Sequence, residues 1–395
     1  MKGLGLIASH CGPSLRTLRL ADVDSLPQSI QAIAHICQSC PYLVVFDIDN
    51  GPSHDCGDEA ILAAVRYCPL IEVLPTHSLY LTDVAMNALA TIHTLRELKL
   101  SYSSACTSTG IQRVLHSNHA NLALVSLEFT EVNDALVRCI GNHCRNLKSL
   151  NLNTRRSPAL GFNVLQDLFR GCPLLEVQLR PLSEDPTATL RAMFEHCHNL
   201  VELDLSVAIP VDAPLVDTEP VLYAYYPSLT KLKITSWNFT ASVLVDVFTY
   251  CTNLTHVNID SCSHATDEVI NALAQNCSSL NTLEITRCSN MTIIGLLGVA
   301  THCSSLTSLT LTYMPISDEV LIQLSLHCKD LKRLSMYQWG EGESITETGV
   351  MAVLEGCTGL SFLGIRGKMV KSTLATLDLT KLGQLYPHIK LDIVR

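Results

Sequence analysis

The residues with the clearest chemical potential are histidines that directly precede cysteines. The dipeptide His-Cys occurs at residues 10–11, 143–144, 196–197, 302–303 and 327–328. An imidazole beside a thiol could form a thiolate–imidazole pair for nucleophilic catalysis, or it could supply ligands to Zn²⁺. Both uses require partners from elsewhere in the fold. The elements that carry these dipeptides therefore decide what they do.

The cysteines belong to a repeated motif. Segments with the pattern CxxLxxLxL, with an aliphatic residue at each Leu position, begin at Cys144, Cys197, Cys251, Cys277, Cys303 and Cys328. With weaker copies included, repeats begin at residues 11, 40, 68, 92, 119, 144, 172, 197, 226, 251, 277, 303, 328, 357 and 386. Their mean spacing is about 27 residues, which lies in the leucine-rich-repeat range. The sequence predicts an α/β leucine-rich-repeat solenoid of about 14–15 repeats.

Helical segments lie between the strand motifs. Residues 266–277 and 317–328, for example, place apolar residues at i, i+3, i+4 and i+7. Each opens with Ser or Thr followed by an acid, so we expect the hydroxyl to cap the helix and the acid to suit its positive end. Parallel strands should line the concave face of a horseshoe, with the helices on its convex face.

The cysteine-containing repeats resemble those of F-box/LRR proteins. The fullest match is residues 251–288, where Cys262 and Cys288 also fill the slot three residues after the strand. The resemblance implies that the repeats bind a protein substrate while an N-terminal F-box docks the adaptor of an SCF ubiquitin ligase. We expect no F-box here, because residues 25–37 keep the repeat register and read as a convex helix. An SCF adaptor would then be bound only through an F-box that is missing from this sequence.

The domain expectation is a single solenoid over residues 1–395. Within it, residues 1–10 read as a partial first repeat and residues 386–395 as a degenerate terminal repeat. Residues 206–226 form an irregular insertion whose three prolines oppose a regular helix over most of its length. That insertion is either a tolerated surface loop or a partner-binding loop.

The repeat position of the cysteines favours packing over chemistry. The slot also accepts Ile92 and Tyr226, so it is apolar in kind, and the preceding histidine should point outward near a helix C-terminus. The other cysteines form no zinc-like cluster: Cys37 and Cys40 make an isolated CxxC, which without a second pair is weak evidence for a metal and is explained by packing. No phosphate-binding glycine loop is present. We therefore expect no catalytic residue, no cofactor and no metal site, and we do not expect the chain to be an enzyme.

The composition argues against nucleic acid and membranes as partners. The chain carries 27 basic and 37 acidic residues, a net charge of −10, with no basic run, so nucleic acid is not an expected partner. The apolar runs are too short to span a membrane, and no export signal is visible. The 17 cysteines are then best understood as reduced thiols in a cytoplasmic or nuclear protein.

The predicted binding surface follows from the strands. The middle residue of each LxL segment points away from the leucines, onto the concave face. These residues are mostly polar, which fits either simple solubility or a surface that binds a protein substrate. Aromatic and arginine residues, which dominate interaction hot spots, gather near the last strands. The predicted partner-binding residues are Asp47, Lys99, Asn151, Asp204, Lys233, Asn258, Glu284, Tyr313, Tyr337, Trp339 and Arg366.

Two functions follow. The first is substrate recognition for an SCF-type ubiquitin ligase in ubiquitin-dependent degradation, as the resemblance implies. The second is a stand-alone repeat scaffold or regulatory protein without a ligase role, which the missing F-box favours.

Overall fold

The computed structural model describes residues 10–21, 28–49, 57–74, 80–153, 160–180, 186–206, 226–236, 240–338, 345–367 and 379–394. The chain divides into two compact units, Met1–Asn199 and Leu200–Arg395. Residues 1–9 of the predicted partial repeat, residues 207–225 of the predicted insertion, and Trp339 lie outside the described residues. Within the described ranges, no helix combines the length and the apolar character needed to cross a bilayer.

The first unit alternates strands and helices. Its elements are β1 (Thr17–Ala21), α1 (Gln28–Ser39), β2 (Val45–Asp49), α2 (Gly57–Tyr67), α3 (Asp83–Leu89), β3 (Glu97–Ser101), α4 (Ser108–Asn118), β4 (Leu124–Glu128), α5 (Asp134–His143), β5 (Ser149–Asn153), α6 (Phe162–Gly171), β6 (Glu176–Arg180) and α7 (Pro186–His196). Strand β1 pairs with β2, and β3 to β6 pair consecutively, all in parallel. In the repeat that begins at residue 68, the described residues contribute the bridge from Val45 to Val73, and residues 75–79 lie outside the described ranges.

The second unit continues the same alternation. Its elements are β7 (Glu202–Ser206), β8 (Lys231–Thr235), α8 (Ala241–Tyr250), β9 (His256–Asp260), α9 (Asp267–Asn276), β10 (Thr282–Thr286), α10 (Ile293–His302), β11 (Ser308–Thr312), α11 (Asp318–His327), β12 (Arg333–Gln338), α12 (Glu347–Gly356), β13 (Phe362–Gly367), α13 (Leu379–Leu385) and β14 (Lys390–Val394). Each strand pairs in parallel with the next, and equivalent repeat positions lie side by side.

The buried positions are those that the repeat pattern predicts. In β10, Leu283 and Ile285 are fully buried, whereas Thr282, Glu284 and Thr286 are half-buried on the opposite face. This alternation is the two-residue period of a sheet with one covered face. The leucines pack towards the helices, and the described residues 28–37 of the segment 25–37 lie in α1, as expected for a helix of the repeat. The α/β solenoid architecture is confirmed within each unit, while one solenoid domain over the whole chain stays a prediction.

The cysteines that open the repeats, here called spine cysteines, are buried from Cys40 to Cys357, and Cys11 is exposed. Several of their thiols donate to the carbonyl of the spine cysteine one repeat earlier. The Sγ–O distance is 3.4 Å from Cys172 to Cys144 and 3.5 Å from Cys277 to Cys251. Those acceptors lie just beyond helix C-termini, where carbonyl groups lack partners within the helix. The thiols therefore link neighbouring repeats as well as filling the core.

The helix starts differ from the sequence expectation. Thr82 and Thr346 cap their own helices through the side chain, but Thr266 and Ser317 make no such bond, so the expected cap is wrong at those two positions. The acid beside Thr266 instead reaches the next repeat. Asp267 accepts from the backbone N–H and the hydroxyl of Thr292, at 2.8 and 2.6 Å. The same arrangement joins Asp58 to Thr82, Asp83 to Thr107, and Asp318 to Thr346.

Candidate binding surface

The candidate surface of the second unit is the face of the sheet opposite the described helices, here called the open face. It carries the first, middle and last residues of each strand, because every second residue of a strand points to the same side. The predicted site residues Asp204, Lys233, Asn258 and Glu284 are the middle residues of β7, β8, β9 and β10, and they lie side by side. All four are half-buried.

These four residues line a shallow hollow on the open face and are already paired. Glu202 and Lys231 line its wall. Lys233 Nζ lies 3.1 Å from Asp204 Oδ2, and Lys231 Nζ lies 2.9 Å from Glu202 Oε2. Asn258 donates to Glu284 across the next pair of strands. Because an exposed ion pair contributes only about 0–1 kcal/mol, a ligand could displace the exposed pair of Lys231 and Glu202 at low cost.

A second feature of the open face lies at the carboxyl ends of the strands. The residue that follows a strand has a positive φ in both units, although none of these residues is glycine: Tyr102, Phe129, Ser236, Ser261, Arg287 and Tyr313. The left-handed backbone turns the N–H of each towards the next strand, as when Tyr313 donates to the Tyr337 carbonyl at 2.7 Å. That repeated bond holds a conformation which side chains other than glycine rarely adopt.

Near the end of the second unit, Arg287 and Tyr313 occupy this turn, while Tyr337 and Arg366 lie in register on β12 and β13. The guanidinium carbon of Arg287 lies 5.0 Å from the ring centre of Tyr313, and that of Arg366 lies 5.6 Å from the ring centre of Tyr337. Tyr313 is 43% exposed. We call these four residues the Arg–Tyr strip. Cation–π contacts of this kind hold each arginine side chain against a ring face, which lowers the entropy that binding must remove.

Arg366 also contacts an acid. Its Nη2 lies 2.5 Å from Asp392 Oδ2, and this hydrogen bond raises the pKa of the guanidinium further. Arg333, on β12, lies with its guanidinium carbon 4.6 Å from the ring centre of Phe362. The aromatic and arginine side chains near the last strands thus form linked pairs. Met314, which lies in the same stretch of sequence, is instead 2% exposed and belongs to the core.

The predicted site residues of the first unit lie on separate strands. Lys99 is the middle residue of β3, with Nζ 2.6 Å from Glu97 Oε2, and Asn151 is the middle residue of β5 and donates to Glu128 at 2.8 Å. Asp47 lies on β2, half-buried, in register with Arg19 of β1. The binding role of the predicted residues in either unit stays a prediction.

Sequence reasoning missed several residues at the turn after the strand. Tyr102 and Phe129 stack with ring centres 4.4 Å apart, and Tyr102 is 50% exposed. Arg287 was missed in the same way. The sequence signal for these residues is a large side chain at the position where other repeats have Ser236 and Ser261. Aligning the repeats at the position directly after each strand would have revealed it.

The spine thiols are poorly suited to nucleophilic chemistry. Burial raises the pKa of the Cys144, Cys172 and Cys303 thiols to about 12. Because the thiolate is the reactive form, these groups are inert at neutral pH. In the dipeptides at 143–144, 302–303 and 327–328 the cysteine is buried and the histidine exposed, as expected. One group of possible metal ligands is nevertheless brought together on the helices, namely His116, Cys139 and His143.

Comparisons with known proteins bear on the fold. No family model matches the sequence, and no curated protein matches it. Among solved structures, the chain is similar to a chain of the crystal structure of the Rad7 and Elc1 complex in yeast, with a TM-score of 0.61 and 15% sequence identity. The match covers 88% of this chain and 90% of that chain. Together with the consecutive parallel strands of each unit, this likeness identifies the chain as an α/β leucine-rich-repeat solenoid.

Proposed function

We propose that this chain is a non-catalytic protein-binding module whose open face in the second unit recognises an acidic segment of a protein partner. The observation that carries the proposal is the Arg–Tyr strip, which combines Arg287, Tyr313, Tyr337 and Arg366 on one open sheet face. Arginine and tyrosine are the residues most enriched in interaction hot spots.

Charge supports the choice of an acidic partner. The chain as a whole carries a net charge of −10, yet the strip contributes the guanidinium groups of Arg287 and Arg366, of which that of Arg366 is paired with Asp392. Arg333 adds a third guanidinium group at the other end of β12. Arginine pairs with carboxylates through two parallel N–H donors, and stacking on the ring of Tyr313 leaves the edge donors of Arg287 in reach of a ligand. The polar side chains that line the hollow on β7 to β10, such as Asn258 and Glu284, add hydrogen-bonding groups on the same sheet.

The finer proposal concerns the process. The resemblance to F-box/LRR repeats supports substrate recognition for an SCF-type ubiquitin ligase, in the cytoplasm or nucleus. The similar solved structure is itself a complex of two proteins, which agrees with a role in assembly. The adaptor would bind an F-box, and the repeats would present the substrate. If no adaptor binds, the same open face serves a scaffold or regulatory protein.

The test is affinity capture with quantitative mass spectrometry, comparing the unaltered chain with the double variant Tyr313→Ala/Tyr337→Ala. A matched control replaces two exposed helix residues of the same unit, Ile294→Ala and Leu326→Ala, which are 63% and 55% exposed. We expect a partner that the strip variant loses and the helix variant keeps. The acidic segment of that partner should bind the purified chain, with affinity lowered at least about tenfold by the strip variant.

Two results would count against the proposal. If the strip variant and the helix variant recovered every partner equally, the Arg–Tyr strip would have no role in binding. Loss of affinity for a basic or uncharged segment would contradict the acidic partner. The ligase role fails separately if the natural gene product captures the partner but neither an SCF adaptor nor a cullin.

A further inference from the structure

Helices α4 and α5 bring three metal-ligating side chains together on the helix side of the first unit. His116 lies in the last turn of α4, while Cys139 and His143 lie one turn apart on α5, in the following repeat. Positions i and i+4 of a helix share a face, so both α5 side chains point towards α4. One ligand atom from each of the three residues lies within 4.8 Å of the others.

The distances fit a tetrahedral ion. Cys139 Sγ lies 3.7 Å from His116 Nε2. In a tetrahedral Zn²⁺ site, bond lengths of about 2.3 Å to sulfur and about 2.0–2.1 Å to nitrogen set a sulfur–nitrogen separation of about 3.6 Å. The His116 and His143 rings lie with centres 4.5 Å apart and edge to face, so small rotations bring both nitrogens into range. Little rearrangement of the backbone is needed.

The set is also open on one side. Cys139 is 7% exposed, whereas both histidines are exposed, so an ion could enter from solvent and keep water in its fourth position. His119 does not complete the set, because its Nδ1 is bonded to the His116 carbonyl at 2.7 Å and its ring centre lies 6.4 Å from that of His143.

We propose that His116, Cys139 and His143 form a Zn²⁺ site that joins α4 to α5. One thiolate and two imidazoles are a ligand set that Zn²⁺ accepts, with a water molecule as the fourth ligand. On binding, the thiol proton leaves to solvent and the sulfur forms the bond to the metal. Burial raises the pKa of the Cys139 thiol to about 11, which weakens the site, but a coordinated thiol is deprotonated by the ion itself.

The site would stabilise the first unit without acting in catalysis. Its ligands come from two successive repeats, so the ion would crosslink those repeats. It would add metal–ligand bonds to the packing contacts and hydrogen bonds that already join α4 to α5. Sequence spacing could not reveal it, because His116 is one repeat away from Cys139. The proposal therefore departs from the sequence expectation of no metal site, and it is independent of partner binding at the open face.

The experiment titrates the metal-free full chain with Co²⁺ alone and then with Zn²⁺ as competitor. We expect one Co²⁺ per chain, a thiolate-to-metal charge-transfer band, and its loss on addition of Zn²⁺. Cys139→Ala should abolish the band, and His116→Gln or His143→Gln should weaken Zn²⁺ binding at least about tenfold. Zn²⁺ should also raise the Tm of the unaltered chain but not of His143→Gln.

The matched control is His302→Gln. His302 is likewise exposed at the end of a helix and precedes a spine cysteine, but its Nδ1 lies 3.0 Å from the Gly298 carbonyl. This variant should bind Zn²⁺ as the unaltered chain does. Absence of the charge-transfer band at saturating Co²⁺, or a band that survives Cys139→Ala, would overturn the proposal. Because His116 and His143 are exposed, their variants should fold, which far-ultraviolet circular dichroism checks.

Discussion

At the scale of single residues, the spine cysteines explain why a thiol recurs where an aliphatic side chain also fits. Ile92 fills the slot by volume alone, whereas Cys328 donates to the Cys303 carbonyl at 3.4 Å and lies 3.6 Å from the Ala300 carbonyl. Both acceptors lie at the end of the preceding repeat's helix, where carbonyls lack partners within the helix, although the Cys303 carbonyl also accepts from the Leu306 N–H at 3.2 Å. A small side chain with a weak donor adds a bond to these carbonyls without a polar group that is costly to bury.

This role predicts a measurable cost for removing one thiol. Cys328→Ala should lower the free energy of unfolding by about 1–2 kcal/mol, because the sulfur's packing contacts and its hydrogen bonds are both lost. Urea denaturation at pH 7 measures the change. Cys11→Ala is the matched control, since Cys11 occupies the same repeat slot but is exposed. A control effect as large as that of Cys328→Ala would contradict a role for burial.

At the scale of elements, the helices are joined by caps that cross from one repeat to the next. Asp267 of α9 accepts from the backbone and the hydroxyl of Thr292, and also from the Gly295 N–H at 3.0 Å. These donors belong to the first turn of α10, whose N–H groups have no partner inside the helix. One carboxylate thus serves two helices. Its negative charge interacts favourably with the positive end of its own helix, α9, and its oxygens accept from the N–H groups at the start of α10.

The two roles of Asp267 can be separated. Asp267→Ala should cost about 1–2 kcal/mol of unfolding free energy, because the Thr292 and Gly295 N–H groups at the start of α10 lose their acceptor. Glu268→Ala is matched in charge and lies in the same first turn of α9, so it should cost less than about 1 kcal/mol through the helix dipole alone. Urea denaturation of both variants measures the difference. Equal losses would show that the bond to Thr292 contributes nothing.

Gly295 is required by the same cap. A Cβ at this position would lie 2.6 Å from Asp267 Oδ1 and 3.3 Å from Asp267 Cα. Gly295→Ala should therefore destabilise the chain by about 1–2 kcal/mol, even though alanine is the better helix former by about 1 kcal/mol. Gly383→Ala, in α13, meets nothing within 4 Å and should be neutral or stabilising. Thermal unfolding should give a lower Tm for Gly295→Ala and an unchanged or higher Tm for Gly383→Ala, and a rise for Gly295→Ala would refute the clash.

At the scale of the whole molecule, the sequence predicts the fold better than the site. The CxxLxxLxL period determines which residues are buried, so strands such as β10 and helices such as α1 lie where the period places them. The period says nothing about contacts between residues one repeat apart. The bond from Asp267 to Thr292 and the meeting of His116 with Cys139 were therefore not predictable from spacing.

The candidate surface was predictable only in part. Alternation along the strand places Asp204 and Lys233 on the open face, but their mutual ion pair depends on side-chain geometry. Arg287 was missed because it lies beyond the strand, in a left-handed backbone turn that the pattern of leucines does not describe. Tyr313, one repeat later, was predicted from its aromatic character alone.

Many buried thiols with the same pKa shift give the molecule a shared pH dependence. Burial raises the pKa of Cys277, Cys303 and Cys328 to about 12, above the value of 9.0 for an unhindered thiol. Because the folded pKa is the higher one, the protonated thiol is favoured in the folded state. The stability that this preference adds to the folded state is fully present below about pH 9 and is lost as pH rises towards about 12. The chain should therefore become less stable across this alkaline range.

Removing one spine thiol should reduce that sensitivity by a fixed amount. Each thiol that ionises only in the unfolded state contributes a slope of about 1.4 kcal/mol per pH unit, so Cys303→Ala should flatten the fall in unfolding free energy by about that much near pH 10 to 11. Urea denaturation across this range measures both chains, and the titration of lysine and tyrosine cancels in the difference. The destabilisation caused by Cys303→Ala at pH 7 should shrink steadily as pH rises. Were it the same at every pH, the thiol would ionise equally in the folded and unfolded chains, and its buried, neutral role between repeats would be disproved.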